Sequence, residues 1–219
     1  MRIREANGSL SKGVWLEDLG AKIGLNGVDN ARIRFDNLRA PKDCLLNKYS
    51  DVSEDGKLVS SIPKRRDRFL RMADRLLSGR ICIASMTHSC TKLGLTTAFR
   101  YGRKRLAVGP TGLSDTPIGE FKLFQNALYP LLASSVCLNI ALNVIKDMYV
   151  KFSTSEPSQE IITLCCYIKP FITWNARNVA AQIVERTGGQ GYLAANRLGE
   201  LIAFAHSGIT AEGDNRVLM

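Results

Sequence analysis

The chain has 219 residues, 45% of them hydrophobic, enough to bury a core in one large domain or one and a half, and its composition is that of an ordered, soluble protein. A net charge of +10 with a pI near 9.5 favours anionic partners, and charge alone does not separate a nucleic acid from a small ligand that carries phosphates. Six cysteines (Cys44, Cys82, Cys90, Cys137, Cys165, Cys166) form no C-x-x-C pair, so they read as reduced core thiols of an intracellular protein and not as a disulfide framework. His88 and His206 lie far apart and away from any cysteine pair; no metal is expected, and each reads as a partly buried histidine.

Arg2, Arg4 and Glu5 lead into a polar stretch, which is not a secretory signal. Up to about Leu46 the chain consists of short apolar pieces broken by glycines, with Ile33 and Phe35 alternating against Arg32 and Arg34 as in a half-buried strand. A polar connector follows over 47–63 and makes a boundary, so residues 1–63 and 64–219 are read as separate domains.

From Arg66 the period becomes helical, with Phe69, Met72, Ala73, Leu76 and Leu77 on one face and Ile81, Ala84, Leu93, Leu95, Ala98 and Phe99 continuing it toward Tyr101. The basic run Lys64-Arg65-Arg66 is a solvated helix entrance, and Gly79 weakens the helix without ending it. A loop over 109–119 precedes a second helix, 120 to about 152. Its apolar core, 128–142, is interrupted by Ser134, Ser135 and Asn139 and falls short of a membrane span. After a break at 153–158 a third helix runs from about 159 to 186, with Pro170 set to kink it unless a neighbouring helix accommodates the lost hydrogen bond. Tyr167, Phe171 and Trp174 share a face of this helix and read as core. Gly188 and Gly189 end it. A fourth helix, 194 to about 206, leads to a final turn. Four amphipathic helices with short connections argue for an antiparallel bundle.

That final turn holds Thr210-Ala211-Glu212-Gly213-Asp214-Asn215. A carboxylate beside glycine can approach a bound substrate without crowding it, and it can take a proton where water is kept out. Glu212 is therefore the candidate base, although Glu-Gly-Asp-Asn is also ordinary turn chemistry. Gly188, Gly189 and Gly191 offer bare backbone amides to a phosphate or an adenine edge; a helix C-cap explains Gly188 equally well, and no Gly-Lys-Ser or Gly-Lys-Thr makes a P-loop.

In order and spacing, Gly24 to Asn30, the stretch from Ile33 to Pro41, Ser78-Gly79-Arg80, Gly188-Gly189-Gln190-Gly191-Tyr192 and the Glu212 turn resemble acyl-CoA oxidases over nearly the whole chain. Lys64 to Phe69, Val108 to Gly112 and Thr210 to Asn215 are similar to the plant long-chain branch in particular. In many other acyl-CoA oxidases an aromatic residue stands where this chain has Ala211.

The resemblance implies α+β architecture, mainly α: the end of a middle β-domain, then a C-terminal four-helix bundle, without the family's N-terminal helical domain. It implies FAD held between these two domains and against a neighbouring subunit of a homodimer, a peroxisomal location, fatty acyl-CoA as substrate and molecular oxygen as oxidant. The last residues, Arg216-Val217-Leu218-Met219, are not a Ser-Lys-Leu address. Glu212 would remove the proton next to the thioester carbonyl. Arg105 is similar to a family arginine on the FAD pyrophosphate, a task suited to a bidentate guanidinium, though a solvated helix end also uses such a cation. Gly188, Gly189 and Gly191 resemble FAD-contacting glycines. Arg80 lies near substrate and base or forms a structural ion pair, and Asp214 and Asn215 position flavin or Glu212 or cap the turn.

A dehydrogenase that passes electrons to a protein acceptor shares the half-reaction. A basic module that binds nucleic acid would explain the charge but brings no helix-turn-helix, zinc or RNA-binding signature. The chain as it stands is expected to fold its helices, to be a poor or inactive oxidase, and to self-associate through an uncovered apolar face.

Overall fold

The computed structural model describes every residue except Met1, Asp74 and 153–157; the side chains of Leu70, Met72, Ala73, Arg75 and Phe152 also lie outside the described set. Two compact units divide the chain, residues 1–74 and 75–219.

In the first unit β1 (Val14–Asp18) pairs antiparallel with β2 (Ala31–Phe35), Val14 opposite Phe35 and Asp18 opposite Ala31. Gly13 begins this hairpin at φ +84°, and a Cβ there would stand 2.5 Å from the carbonyl oxygen of Asp36, so only glycine fits. A second hairpin joins β3 (Ser50–Val52) to β4 (Leu58–Ser60), and α1 (Arg65–Ala73) follows with its basic entrance exposed. The strand expected at Ile33 and Phe35 is present but not half-buried: the two residues are 45% and 49% exposed. A two-stranded ribbon has no second layer against which to bury a face.

In the second unit α2 (Arg75–Lys104), α3 (Lys122–Phe152), α4 (Gln159–Arg186) and α6 (Leu198–Thr210) form the bundle, with the single turn α5 (Gly189–Tyr192) between α4 and α6 and α7 (Asn215–Leu218) after the Glu212 turn. Between α2 and α3 the expected loop carries a short antiparallel pair, β5 (Leu106–Ala107) with β6 (Thr116–Pro117), and a 3-10 turn at Ile118–Glu120. Helix directions follow from the contacts. The Cβ position of Gly102 near the end of α2 faces Phe124 at the start of α3, while Leu198 at the start of α6 clusters with Val179 and Ile183 late in α4 and the Cβ position of Gly208 late in α6 faces Thr173 earlier in α4. Hence α3 runs antiparallel to α2, and α6 antiparallel to α4.

Helix α4 is the central element. One cluster of buried side chains (Leu77, Ile81, Ala84 of α2; Leu142, Ile145 of α3; Ile161, Cys165, Ile168, Ile172 of α4) fills the end where α2 and α4 begin, and another around Leu95, Ala98, Phe124, Leu128, Val179, Ile183 and Leu198 fills the opposite end. The fully buried Pro170 lies within an α4 that remains one helix, and α3 likewise continues through Pro130. Ser158 caps α4, its Oγ accepting from the Ile161 N–H at 3.3 Å.

Several expectations change. The helical stretch from 66 is described on both sides of residue 74, as α1 and α2, and Phe69, Leu76 and Leu93 are exposed, while Met72 and Ala73 fall outside the described side chains. The fourth helix starts later, at Leu198, because Arg197 takes a left-handed conformation (φ +58°) after a 3-10 turn at Ala194–Asn196. Tyr167 and Phe171 are not core: they lie on the outer face of α4, 40% and 51% exposed, and Trp174 is half-buried under the Arg216 guanidinium. Aromatic residues at i and i+4 share a helix face without fixing which way that face points. Among the thiols, all free, only Cys165 is buried, and Cys82 and Cys137 are exposed. His88 is buried and His206 exposed. By length and composition alone α3 could cross a membrane, which its interrupted apolar run did not suggest, yet it buries Phe124, Leu128, Leu142 and Ile145 within the bundle.

Candidate active site and cofactor groove

Helix α6 ends at Thr210, and the chain reverses through two residues with positive φ, Glu212 at +57° and Gly213 at +105°. A non-glycine residue there costs on the order of 1–3 kcal/mol and persists where the surroundings over-determine it. Those surroundings are specific. Arg80 of α2 donates from Nε to the backbone oxygen of Glu212 (3.3 Å) and from Nη1 to Cys166 Sγ (3.0 Å), which ties α2, α4 and the turn together. The Glu212 carboxylate rests over the bare backbone of Gly79, where a Cβ would lie 2.5 Å from Oε2 and 3.0 Å from Oε1. Gly79 is therefore the residue that makes room for the carboxylate.

Beyond the turn, Asp214 caps α7 by accepting from the Arg216 N–H at 2.9 Å, and Arg216 stacks over Trp174 at 5.2 Å. Asn215 is 1% exposed and faces inward, its amide nitrogen donating to Thr173 Oγ1 and its oxygen accepting from Lys169 Nζ, both at 2.9 Å. Lys169 is fully buried in α4; burial pushes its pKa down to about 8, the Asp214 carboxylate opposes that, Arg80 adds to it, and Glu212 opposes it. At neutral pH the amine keeps its proton.

The other predicted residues gather at the far end of the bundle. An open cavity of about 440 Å³ is lined by Arg105, Gly188 and Gly189 together with Tyr101, Phe121, Glu185, Arg186 and Gln190. Arg105 is exposed, and its backbone joins the end of α2 to the 3-10 turn through the Ile118 N–H (2.8 Å). No atom stands within 4 Å of a Cβ built at Gly188 or Gly189, and Gly188 takes a φ of +60° that favours glycine. The buried Nε of Arg186 has no partner among the described residues. Two guanidinium groups, one with an unused buried donor, beside open glycine backbone are a donor set that fits the phosphates of a dinucleotide. Gly191 is different: it is buried, and a Cβ there would meet Val184 O and Thr187 Oγ1 at 2.4 Å, so it is needed for packing of the turn on α4.

The predicted residues thus form two groups, Arg80, Glu212, Asp214 and Asn215 at one end and Arg105, Gly188 and Gly189 at the other. The intervening part of α2, from Arg80 to Lys104, spans about 36 Å at the rise of an α-helix. Sequence reasoning noted Gly79 as a weak point of the helix and as part of the Ser78-Gly79-Arg80 motif, not as room for the carboxylate, and passed over Lys169 and Thr173; the available signal was a lysine inside the apolar run Tyr167-Ile168-Lys169-Pro170-Phe171-Ile172.

The family model described as acyl-CoA oxidase, C-alpha1 domain, matches residues 74–219. The chain is 40% identical over its full length to the peroxisomal acyl-coenzyme A oxidase 3 of Arabidopsis thaliana, of which it covers 32%. It is 34% identical to the human peroxisomal acyl-coenzyme A oxidase 3, with 94% of this chain and 31% of that protein covered. The crystal structure of a tomato acyl-CoA oxidase superposes with a TM-score of 0.87 at 28% identity, over all of this chain and 34% of that one. A Caenorhabditis elegans acyl-CoA oxidase-1 complexed with FAD and ATP has the same fold (TM-score 0.86, 22% identity, 100% and 32% covered). The chain spans about a third of the length of these relatives, and with a family model matched over 74–219 it belongs to the acyl-CoA oxidase family.

Proposed function

We propose that this chain supplies the catalytic base and part of the FAD site of a long-chain fatty acyl-CoA oxidase, which introduces a trans-2 double bond in the first step of peroxisomal fatty-acid β-oxidation. The observation that carries the reading is the Glu212 carboxylate, held on a left-handed turn against the bare backbone of Gly79 in a chain of this family. Peroxisomal location rests on the names of the relatives, and acyl chain preference on the likeness to the plant long-chain branch.

Glu212 takes the proton next to the thioester carbonyl. Its carboxylate lies over the bare backbone of Gly79, while Arg80 holds its backbone carbonyl oxygen. A base of this kind works best with water excluded, which raises its affinity for the proton. Bound FAD would supply the acceptor for the hydride that leaves the β-carbon, with oxygen taking the electrons to give hydrogen peroxide. Arg105, Arg186, Gly188 and Gly189 would hold its pyrophosphate, the arginines by charge-assisted hydrogen bonds. Since the base and this groove lie at opposite ends of the bundle, the groove suits a flavin whose reactive ring serves the neighbouring subunit of a homodimer.

The test is flavin reduction by a long-chain acyl-CoA without oxygen, then peroxide release when oxygen is admitted. Glu212→Gln keeps shape and removes basicity, so a complete enzyme carrying it should still bind FAD and acyl-CoA while flavin reduction falls by about a hundredfold or more. Near-normal reduction removes Glu212 from the mechanism. Reduction without oxygen consumption assigns the protein to the dehydrogenases.

A further inference from the structure

Lys169 is a charged side chain with no exposed surface, inside a helix, and the reaction as described does not use it. A buried ammonium is costly unless its protons are engaged. Here all three are. Nζ donates to the carbonyl oxygens of Ile209 (3.0 Å) and Gly213 (2.6 Å) and to Asn215 Oδ1 (2.9 Å). An ammonium has three donors and no acceptor, so the match in number is complete. The circuit then closes through α4: the Asn215 amide donates to Thr173 Oγ1, and the Thr173 hydroxyl donates to the Lys169 carbonyl oxygen at 2.9 Å.

The three acceptors lie on both sides of Glu212: Ile209 at the end of α6, Gly213 directly after Glu212 within the turn, and Asn215 at the start of α7. Elsewhere in that segment Asp214 caps its own helix, Arg216 lies on the surface of Trp174, and the Glu212 carbonyl oxygen accepts from Arg80. The charged groups facing Lys169 are Asp214 and Glu212 on the turn and Arg80 on α2. Gly213 needs φ +105° and Glu212 φ +57°, conformations that a free tetrapeptide abandons.

We propose that Lys169 is the positioning residue of the base: its ammonium ties both flanks of the 211–214 turn to the core of α4, and so fixes where the Glu212 carboxylate stands. The role of the turn rests on the reading of Glu212 as the base; the tie itself does not. A side chain that merely fills space makes the opposite prediction, because exchanging a buried charge for an apolar group of similar volume is often neutral or stabilising.

Hydrogen exchange on the 219-residue chain, without FAD or substrate, separates the two. The amides of Arg216, Val217 and Leu218 bond only within the Asp214 cap and α7, a four-residue helix that does not hold itself together in water. In the unmodified chain they should be protected. Lys169→Met should speed their exchange by about a hundredfold, the loss of three hydrogen bonds, while Ile172 and Val179 of α4 stay protected. Lys169→Gln, which keeps two donors, should fall between. Unchanged exchange in Lys169→Met, equal acceleration of turn and bundle, or unprotected turn amides in the unmodified chain would each overturn the proposal; the last of these needs no variant to fold. Glu212→Gln should leave the same amides protected, so failure of the catalytic reading and failure of the tie give different results.

Discussion

At the residue scale the Glu212 carboxylate and Gly79 make opposite demands on one position. Glycine inside a helix costs up to about 1 kcal/mol relative to alanine, yet here a Cβ would come 2.5 Å from Glu212 Oε2. The clashing atoms are the far end of a flexible side chain, so the bundle accepts the methyl group and the carboxylate moves. Gly79→Ala should therefore leave thermal stability unchanged or raise it slightly, while flavin reduction in a complete enzyme carrying it falls by about a hundredfold, the cost of a displacement near 1 Å. A Gly79→Ala protein with full reduction rate would show that the carboxylate does not work from this position. The turn that carries Glu212 was legible in the sequence because glycine beside a carboxylate in a polar stretch is a local pattern. Gly79 and Lys169 were not, since their importance comes from a segment more than forty residues away that only the folded bundle brings to them.

At the element scale the long helices were readable and their ends and outward faces were not. Periodicity gives a helix its apolar stripe, but the left-handed Arg197 that delays α6 and the short β5–β6 pair have no periodic signal. Helix α2 also carries a titratable group inside the bundle. His88 is 2% exposed; burial first, then the cations of Lys92 and Lys146, lower its pKa below 6.5 against the opposing effect of Asn139. The unfolded chain then binds a proton that the folded chain refuses, so the stability held above pH 6.5 is lost as pH falls below it. Denaturant unfolding across this range should show an acid limb of up to about 1.4 kcal/mol per pH unit from this one group, and His88→Leu should flatten it. An identical limb in the variant would place the acid sensitivity elsewhere.

At the scale of the whole molecule the bundle leaves one apolar face open. Tyr129, Leu132, Val136, Ile140 and Val144 recur every three or four residues along α3 and are 38–59% exposed, a continuous stripe of the kind that single soluble chains rarely present. The Glu212 side chain is exposed as well, so in the chain as given water reaches the carboxylate and the dry surroundings that favour proton uptake are absent. Two consequences go together. The 219-residue chain should self-associate in light scattering after gel filtration, most naturally as a symmetric dimer, since one patch can then cover its own copy. Paired Val136→Glu and Ile140→Glu substitutions should return it to a monomer without loss of helix signal. The same chain, supplied with excess FAD and long-chain acyl-CoA, should release peroxide slowly or not at all, because the carboxylate proposed as the base stands open to water. A monomer that retains FAD through gel filtration and releases peroxide rapidly would refute both parts of the argument, for it would show that neither a second copy nor a covered carboxylate is needed.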